Sequence, residues 1–246
     1  MDGNGRWANL RGLSRTRGHR EGAERVDEIV TECTRLGVRY LTLYAFSTEN
    51  WGRPAHEVRI LMGLLVRHLR TMDAKLKRNR VSLVAQGSLD RLPAAARAEL
   101  ARVTRETALE TPAMVLNLCL SYGGREEIVH AAKALAERVR RGDLEPAGID
   151  ETVFRDALYH PEIPDPDLLV RTGGEMRVSN FLLWQVAYSE IAVTDVLWPD
   201  FTPAVLRGVV SDYTSRERRF GLTSAQIGRK FFSRSKRNAT QPGGTP

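Results

Sequence analysis

Apolar and polar positions alternate along the chain in two different rhythms. Short runs rich in β-branched and apolar residues recur as "YLTLYAF" (40–46), "VSLVAQG" (81–87), "MVLNLCLSY" (114–122), "DLLVRT" (167–172) and "IAVTDVLW" (191–198). Each is short, nearly continuous in apolar character and isolated from the next, which predicts buried strands of a mostly parallel sheet. Between them, 20–36, 55–78, 93–109, 125–141, 151–159 and a last stretch near 203–219 carry the 3.6-residue spacing of amphipathic helices. In 55–78 the positions Val58, Leu61, Met62, Leu65, Leu69, Met72 and Leu76 form one apolar stripe. This alternation predicts a single α/β domain, a central sheet with helices packed on its faces. No internal repeat or linker-like stretch divides it.

Composition narrows the class. With 246 residues, 42% hydrophobic and 27% charged, the chain can bury a core of ordinary size. It contains no apolar run long enough to span a bilayer and no apolar leader at its start. Cys33 and Cys119 fall in a predicted buried helix and strand, which suits reduced thiols in a cytoplasm. No Cys/His cluster has zinc-like spacing. The net charge of +7 invites a nucleic-acid reading, but Arg229, Lys230, Arg234, Lys236 and Arg237 sit in the tail, leaving +2 for the rest. Together with Phe231 and Phe232, that basic tail (222–246) suits an anionic membrane surface or a solvated, disordered segment. No aromatic-basic RNA-binding motif is present, so no nucleic-acid partner is expected.

In open α/β sheets ligands gather where strands end and turns lead into helices. "YAFSTENWGRP" (44–54) crowds Ser47, Thr48, Glu49, Asn50, Trp51 and Arg53 into such a turn before Pro54. Helix capping by Ser or Thr accounts for one hydroxyl there, not for the whole group. "RTGGEMRVSN" (171–180) follows another strand, with Gly173 and Gly174 for close backbone approach and Arg171 and Arg177 as forked donors to phosphate. Taken alone, a Gly-Gly turn with surface arginines is equally ordinary. "SYGGREE" (121–127) is a third, weaker turn. The opening residues gather Arg6, Arg11, Arg15, Arg17, His19 and Arg20 around a single acid, Asp2. One carboxylate among cations is what a magnesium diphosphate needs. Glu190, read alone, is an ordinary acid.

In order, "MDGNGRWA", "YAFSTENWGRP", "LSYGGREE", "RTGGEMRVSNFLLWQVAYSE", "DVLWPDF" and "RERRFG" closely resemble the cis-prenyltransferases, the undecaprenyl diphosphate synthase family. The likeness runs from residue 1 to about Gly221. It implies an α/β fold with a hydrophobic product tunnel, in which the stripe from Val58 to Leu76 serves equally well as tunnel wall or core. It implies magnesium-dependent condensation of isopentenyl diphosphate with an allylic diphosphate, giving cis double bonds. By position, Asp2 matches the catalytic, magnesium-handling aspartate and Glu190 a second magnesium ligand. Gly3, Asn4, Gly5 and Arg6 match the allylic diphosphate loop, with Trp7, Arg15 and His19 beside it. Ser47, Thr48, Glu49, Asn50, Trp51 and Arg53 match a mobile substrate loop, with Asn50 at the position assigned to proton removal. A neutral amide is a poor base, so Asn50 is expected to orient phosphate or water. Arg171, Arg177, Val178 and Ser179 match the isopentenyl diphosphate site. The family also implies a homodimer.

Three departures stand out. Family members carry an apolar strand just before the "MDGNGRW" segment, which implies a mis-set start or a shortened chain here. Met176 stands where many members have histidine. Leu120 stands where long-chain members often carry a small residue; a bulkier side chain in a tunnel wall can stop the growing chain early, so the resemblance leaves product length open between long and short or medium chains. The competing readings are a non-catalytic prenyltransferase-like binding subunit and a synthase of short or medium-chain terpenoid diphosphates. All-helical trans-prenyltransferases are excluded by the strand pattern and by the absence of DDxxD pairs.

Overall fold

The computed structural model describes residues 1–216, so the expectations for Gly221 and for the basic tail lie outside the described residues. Five strands form, β1 (Tyr40–Ser47), β2 (Val81–Gln86), β3 (Met114–Tyr122), β4 (Leu168–Thr172) and β5 (Glu190–Thr194). The helices are α1 (Asn4–Leu10), α2 (Arg15–Arg35), α3 (Ala55–Arg78), α4 (Ala94–Thr107), α5 (Gly124–Arg140), α6 (Glu151–Arg155) and α7 (Pro203–Ser215). Every strand pair is parallel, and helices flank the strands in one domain, the architecture expected from the alternation.

Four details differ from the expectation. The strands form two ladders, β1-β3-β2 and β4-β5, rather than one continuous sheet. In addition, Asn4–Leu10 is helical although its glycines read as a turn. α2 begins earlier than the apolar spacing indicates because the Ser14 side chain caps it, accepting from the Arg17 N–H. α6 is shorter than expected and ends at Arg155.

β3 sits centrally and is buried along almost its whole length. Met114, Leu116, Leu118 and Leu120 join the main core with Leu69, Met72 and Leu76 of α3 and with Val103 of α4. Cys119, on the other face, joins a smaller cluster with Leu169, Leu182 and Val186, and Tyr122 joins it as well because Ser121, at φ 49°, interrupts the strand between them. This alternation is the two-residue period of a strand buried on both sides. Both cysteines are buried and unbridged. Among the described residues, no helix is long and apolar enough to cross a membrane.

Candidate active site

Asp2 is held by its backbone. Its N–H donates to Thr172 Oγ1 at 2.9 Å, and its carbonyl accepts from Thr172 Oγ1 at 3.0 Å and from the Trp198 N–H at 2.9 Å. The next residue, Gly3, has φ 104°, and a Cβ there would lie 2.7 Å from Leu197 Cδ2. Only glycine fits that turn. The Asp2 side chain accepts from the Gly3 N–H at 2.7 Å and from Arg171 Nη2 at 3.1 Å, with Arg6 Nη2 at 4.0 Å. Burial alone would raise the pKa of this carboxyl, but the Arg171 and Gly3 hydrogen bonds outweigh it and hold the group below the usual aspartate range.

Arg171, near the end of β4, spans two parts of the site. Besides Asp2 it donates to Ser179 Oγ at 2.7 Å and to the Arg177 carbonyl. Its side chain is 14% exposed, and its Nε has no hydrogen-bond partner among the described residues. Gly173 and Gly174, at φ 85° and 74°, make the turn that lets residues 175–179 fold back over the arginine. Arg177 is exposed and pairs with Glu175 at 2.6 Å, Val178 packs on the smaller core cluster, and Met176 points into solvent at 88% exposure.

The turn after β1 approaches from the other side. Asn50 Oδ1 accepts from the Ser47 N–H at 3.2 Å, closing the turn on itself. The Glu49 carboxylate accepts from Asn180 Nδ2 at 2.8 Å, and Trp51 Nε1 donates to Ser121 Oγ at 2.9 Å. Thr48 lies against the third turn, where a Cβ on Gly123 would come 2.8 Å from Thr48 Oγ1. Arg53 pairs with Glu57 at 3.0 Å, and Arg15 and His19 approach that carboxylate at 3.8 and 3.9 Å. Burial, with Arg53 and Arg15 nearby, lowers the His19 pKa in spite of Glu57. Trp7 Nε1 donates to Asp200 at 2.8 Å, under the stacked guanidinium of Arg11.

These pieces border one cavity of about 940 Å³. Its wall includes Asp2, Arg171, Arg177, Val178 and Ser179 from one side and Ser47, Glu49, Asn50 and Arg53 from the other. Gly3, Asn4, Gly5, Arg6, Trp7, Arg15 and His19 are not among the residues that line it. Glu190 does not join Asp2 within the chain. It pairs in register with Leu168, at the opposite end of the ladder from Thr172, and its carboxylate meets Arg216 at 3.4 Å. Four residue steps separate the two ends, about 13 Å. No group of three or more acidic, His or Cys side chains suited to a metal occurs among the described residues.

A second cavity of about 680 Å³ is lined by Trp51, Arg53, Val58, Met62, Val66 and Pro93. The apolar stripe of α3 therefore divides. Its start faces this cavity, whereas Leu69, Met72 and Leu76 are core. Leu120 is 1% exposed and is not among the lining residues of either cavity.

Sequence reasoning passed over Thr172, Asn180, Glu57 and Asp200. Thr172 and Asn180 lie inside a quoted turn, and Glu57 follows Arg53 by the four-residue spacing of a helical ion pair. Those positions were the available signal. Asp200 gave none beyond lying in "DVLWPDF".

The family model described as putative undecaprenyl diphosphate synthase matches residues 1–221. The chain belongs to the undecaprenyl diphosphate synthase family. Its relatives in this family of prenyltransferases include the isoprenyl transferase of Geobacter sulfurreducens, 48% identical over 227 residues, which cover 92% of each chain. The ditrans,polycis-undecaprenyl-diphosphate synthase ((2E,6E)-farnesyl-diphosphate specific) of Xanthomonas axonopodis pv. citri is 48% identical over 94% of this chain and 89% of its own. Among solved structures, lavandulyl diphosphate synthase from Lavandula x intermedia, in complex with dimethylallyl diphosphate, superposes with a TM-score of 0.85. It is 34% identical, with 90% of this chain and 95% of that one covered. A probable undecaprenyl diphosphate synthase from Campylobacter jejuni gives 0.72 at 36% identity, covering 82% and 92%.

Proposed function

We propose that this prenyltransferase condenses isopentenyl diphosphate with an allylic diphosphate, adding units joined by cis double bonds. The observation that carries the reading is the single cavity in which Asp2, Arg171 and Ser179 face Asn50 and Arg53. The names of the relatives, one for a farnesyl diphosphate substrate and one for a complex with dimethylallyl diphosphate, supply the substrate class.

Asp2 fits a magnesium ion. Its carboxylate is ionised, 44% exposed and part of the cavity wall. Magnesium is commonly held by one or two carboxylates together with substrate phosphates. Bound there, the ion would neutralise charge on diphosphate oxygens.

The chain's own groups account for the rest. Arg6 and the backbone around Gly3 stand at the allylic diphosphate, while Arg171, Arg177 and Ser179 supply donors to the isopentenyl diphosphate. Fixed cations stabilise charge that grows on the departing diphosphate, so the allylic carbon ionises more readily. The isopentenyl double bond attacks that carbon, and a proton then leaves the adjacent carbon. Asn50 is a positioning group, because its oxygen is committed to the Ser47 N–H and only its amide N–H₂ is available to a phosphate or water. The diphosphate oxygen takes the proton. The growing chain enters the apolar space beside Val58 and Met62. Tyr188, 87% exposed, and Ile191 of β5, 50% exposed, suit the homodimer that the family implies.

The test is product analysis after incubation with farnesyl diphosphate, labelled isopentenyl diphosphate and magnesium. Polyprenyl diphosphates with new cis double bonds are expected. New double bonds that are all trans, or no product, would overturn the proposal.

A further inference from the structure

The turn after β3, "SYGGREE" (121–127), supplies no lining residue to either cavity. It holds the two turns that do. The Gly124 and Arg125 N–H groups donate to the Asn180 carbonyl and to Asn180 Oδ1, at 2.7 and 2.8 Å. Ser121 serves the turn after β1. It is fully buried, and its φ of 49° lies in the left-handed region that a serine seldom adopts. Backbone strain of this kind persists only where surrounding contacts hold it, and it clusters at functional sites.

Two contacts hold it here. The Ser121 carbonyl accepts from the Ser88 N–H at 3.0 Å, and its hydroxyl accepts from Trp51 Nε1 at 2.9 Å. Ser88 precedes the short helical turn Leu89–Arg91. The Arg91 guanidinium in turn lies over the Trp51 ring, 5.5 Å from its centroid, which is within cation–π reach. Phe46 meets the same ring in a T-shaped arrangement at 5.0 Å. The turns after β1, β2 and β3 therefore close on one indole. Arg91 has a looser second partner, Glu126 at 3.9 Å.

Trp51 stands at a divide. Glu49 and Asn50 line the large cavity, Trp51 lines the second, and Arg53 lines both, so the turn lies between them. We propose that Ser121 and Arg91 are positioning residues that clamp Trp51, one at the indole N–H edge and the other over its face, and so keep residues 47–53 ordered before substrate arrives. The kinetic consequence rests on the reaction proposed above. An ordered turn presents the Asn50 amide and the Arg53 guanidinium without the ordering penalty that a loose turn adds to binding. Loss of the clamp therefore acts on KM rather than on kcat.

The test uses Ser121→Ala, Arg91→Ala and Arg91→Lys in the 246-residue chain. The first readout is amide hydrogen exchange over 47–53, which needs no turnover and so stands even if the proposed reaction fails. Both alanine variants are expected to speed exchange there about five-fold or more, with the melting temperature within a few degrees of the parent. Arg91→Lys, which keeps a cation for the ring, is expected to fall between Arg91→Ala and the parent. In a Trp51→Phe background, which lacks the indole N–H, Ser121→Ala is expected to add nothing. The second readout is kinetic, a KM for isopentenyl diphosphate raised about five-fold or more with kcat within about two-fold. Arg91 is 44% exposed, so Arg91→Ala decides the matter if Ser121→Ala unfolds the chain. Unchanged exchange over 47–53 would overturn the proposal. So would a Ser121→Ala effect of equal size with and without Trp51→Phe, or a fall in kcat at unchanged KM.

Discussion

Asp2 reaches its place through peptide groups, so its side chain is free to meet charge. Both backbone groups are engaged by Thr172 and Trp198, while the carboxylate turns to Arg171 and the cavity. Replacing it with asparagine keeps the shape and removes the charge. Asp2→Asn is expected to lower kcat at least 100-fold with the melting temperature within a few degrees of the parent. A rate within five-fold would remove Asp2 from the chemistry. Its depressed pKa also sets a pH dependence. A group with a folded pKa below its unfolded value contributes above that unfolded value and loses its contribution as pH falls through the folded one. Activity assigned to Asp2 should therefore persist down through the ordinary carboxylate range and fail only below it. A pH–rate profile whose acid limb lies at or above about 5 would assign that limb to another group. Arg171 is the second test at this scale, since one planar guanidinium holds both Asp2 and Ser179. Lysine keeps the charge but loses the fork. Arg171→Lys should raise KM for isopentenyl diphosphate by about 10-fold or more, while the KM for the allylic partner changes less.

α3 and α1 show where element-level reading succeeds and where it stops. α3 was legible to the residue because its stripe from Val58 to Leu76 spans many turns. α1 was not, because a seven-residue segment with a glycine inside is a poor helix by its own propensity. Its helical state depends on close contact with α2, where glycines at 18 and 22 let Asn4 approach. A Cβ on Gly18 would collide with the Asn4 carbonyl and lie 3.1 Å from the Ala8 Cβ. Gly18→Ala is therefore expected to destabilise the protein by about 1–3 kcal/mol despite the better helix propensity of alanine. Gly63 in α3 has no neighbour within 4 Å of such a Cβ, so Gly63→Ala is expected to stabilise by about 0.5–1 kcal/mol. Opposite shifts in denaturant midpoint check the pair. Equal shifts would mean that α1 does not press on α2. The split of the strands into two ladders was hidden for a related reason. Apolar runs reveal that strands are buried, whereas pairing depends on which edges meet. The same limit applies to Leu120, whose sequence position marks it as buried without showing that it borders neither cavity.

At the scale of the whole molecule, the turns that read as chemically loaded do converge, because parallel strands deliver their carboxyl ends to one side. Asp2, the turn after β1 and the turn after β4 come from opposite ends of the sequence and border one cavity. Glu190 shows the complementary case. A motif match places it beside a strand, but the ladder register carries it to the other end. Membership of the undecaprenyl diphosphate synthase family and this shared cavity make one central claim, that the chain joins two diphosphate substrates. The most direct measurement is the initial rate of labelled isopentenyl diphosphate incorporation onto farnesyl diphosphate, with magnesium and with the metal chelated. The account predicts incorporation with magnesium and a loss of at least 100-fold on chelation. Tight binding of both diphosphates with no incorporation under either condition would contradict it and make the chain a binding subunit.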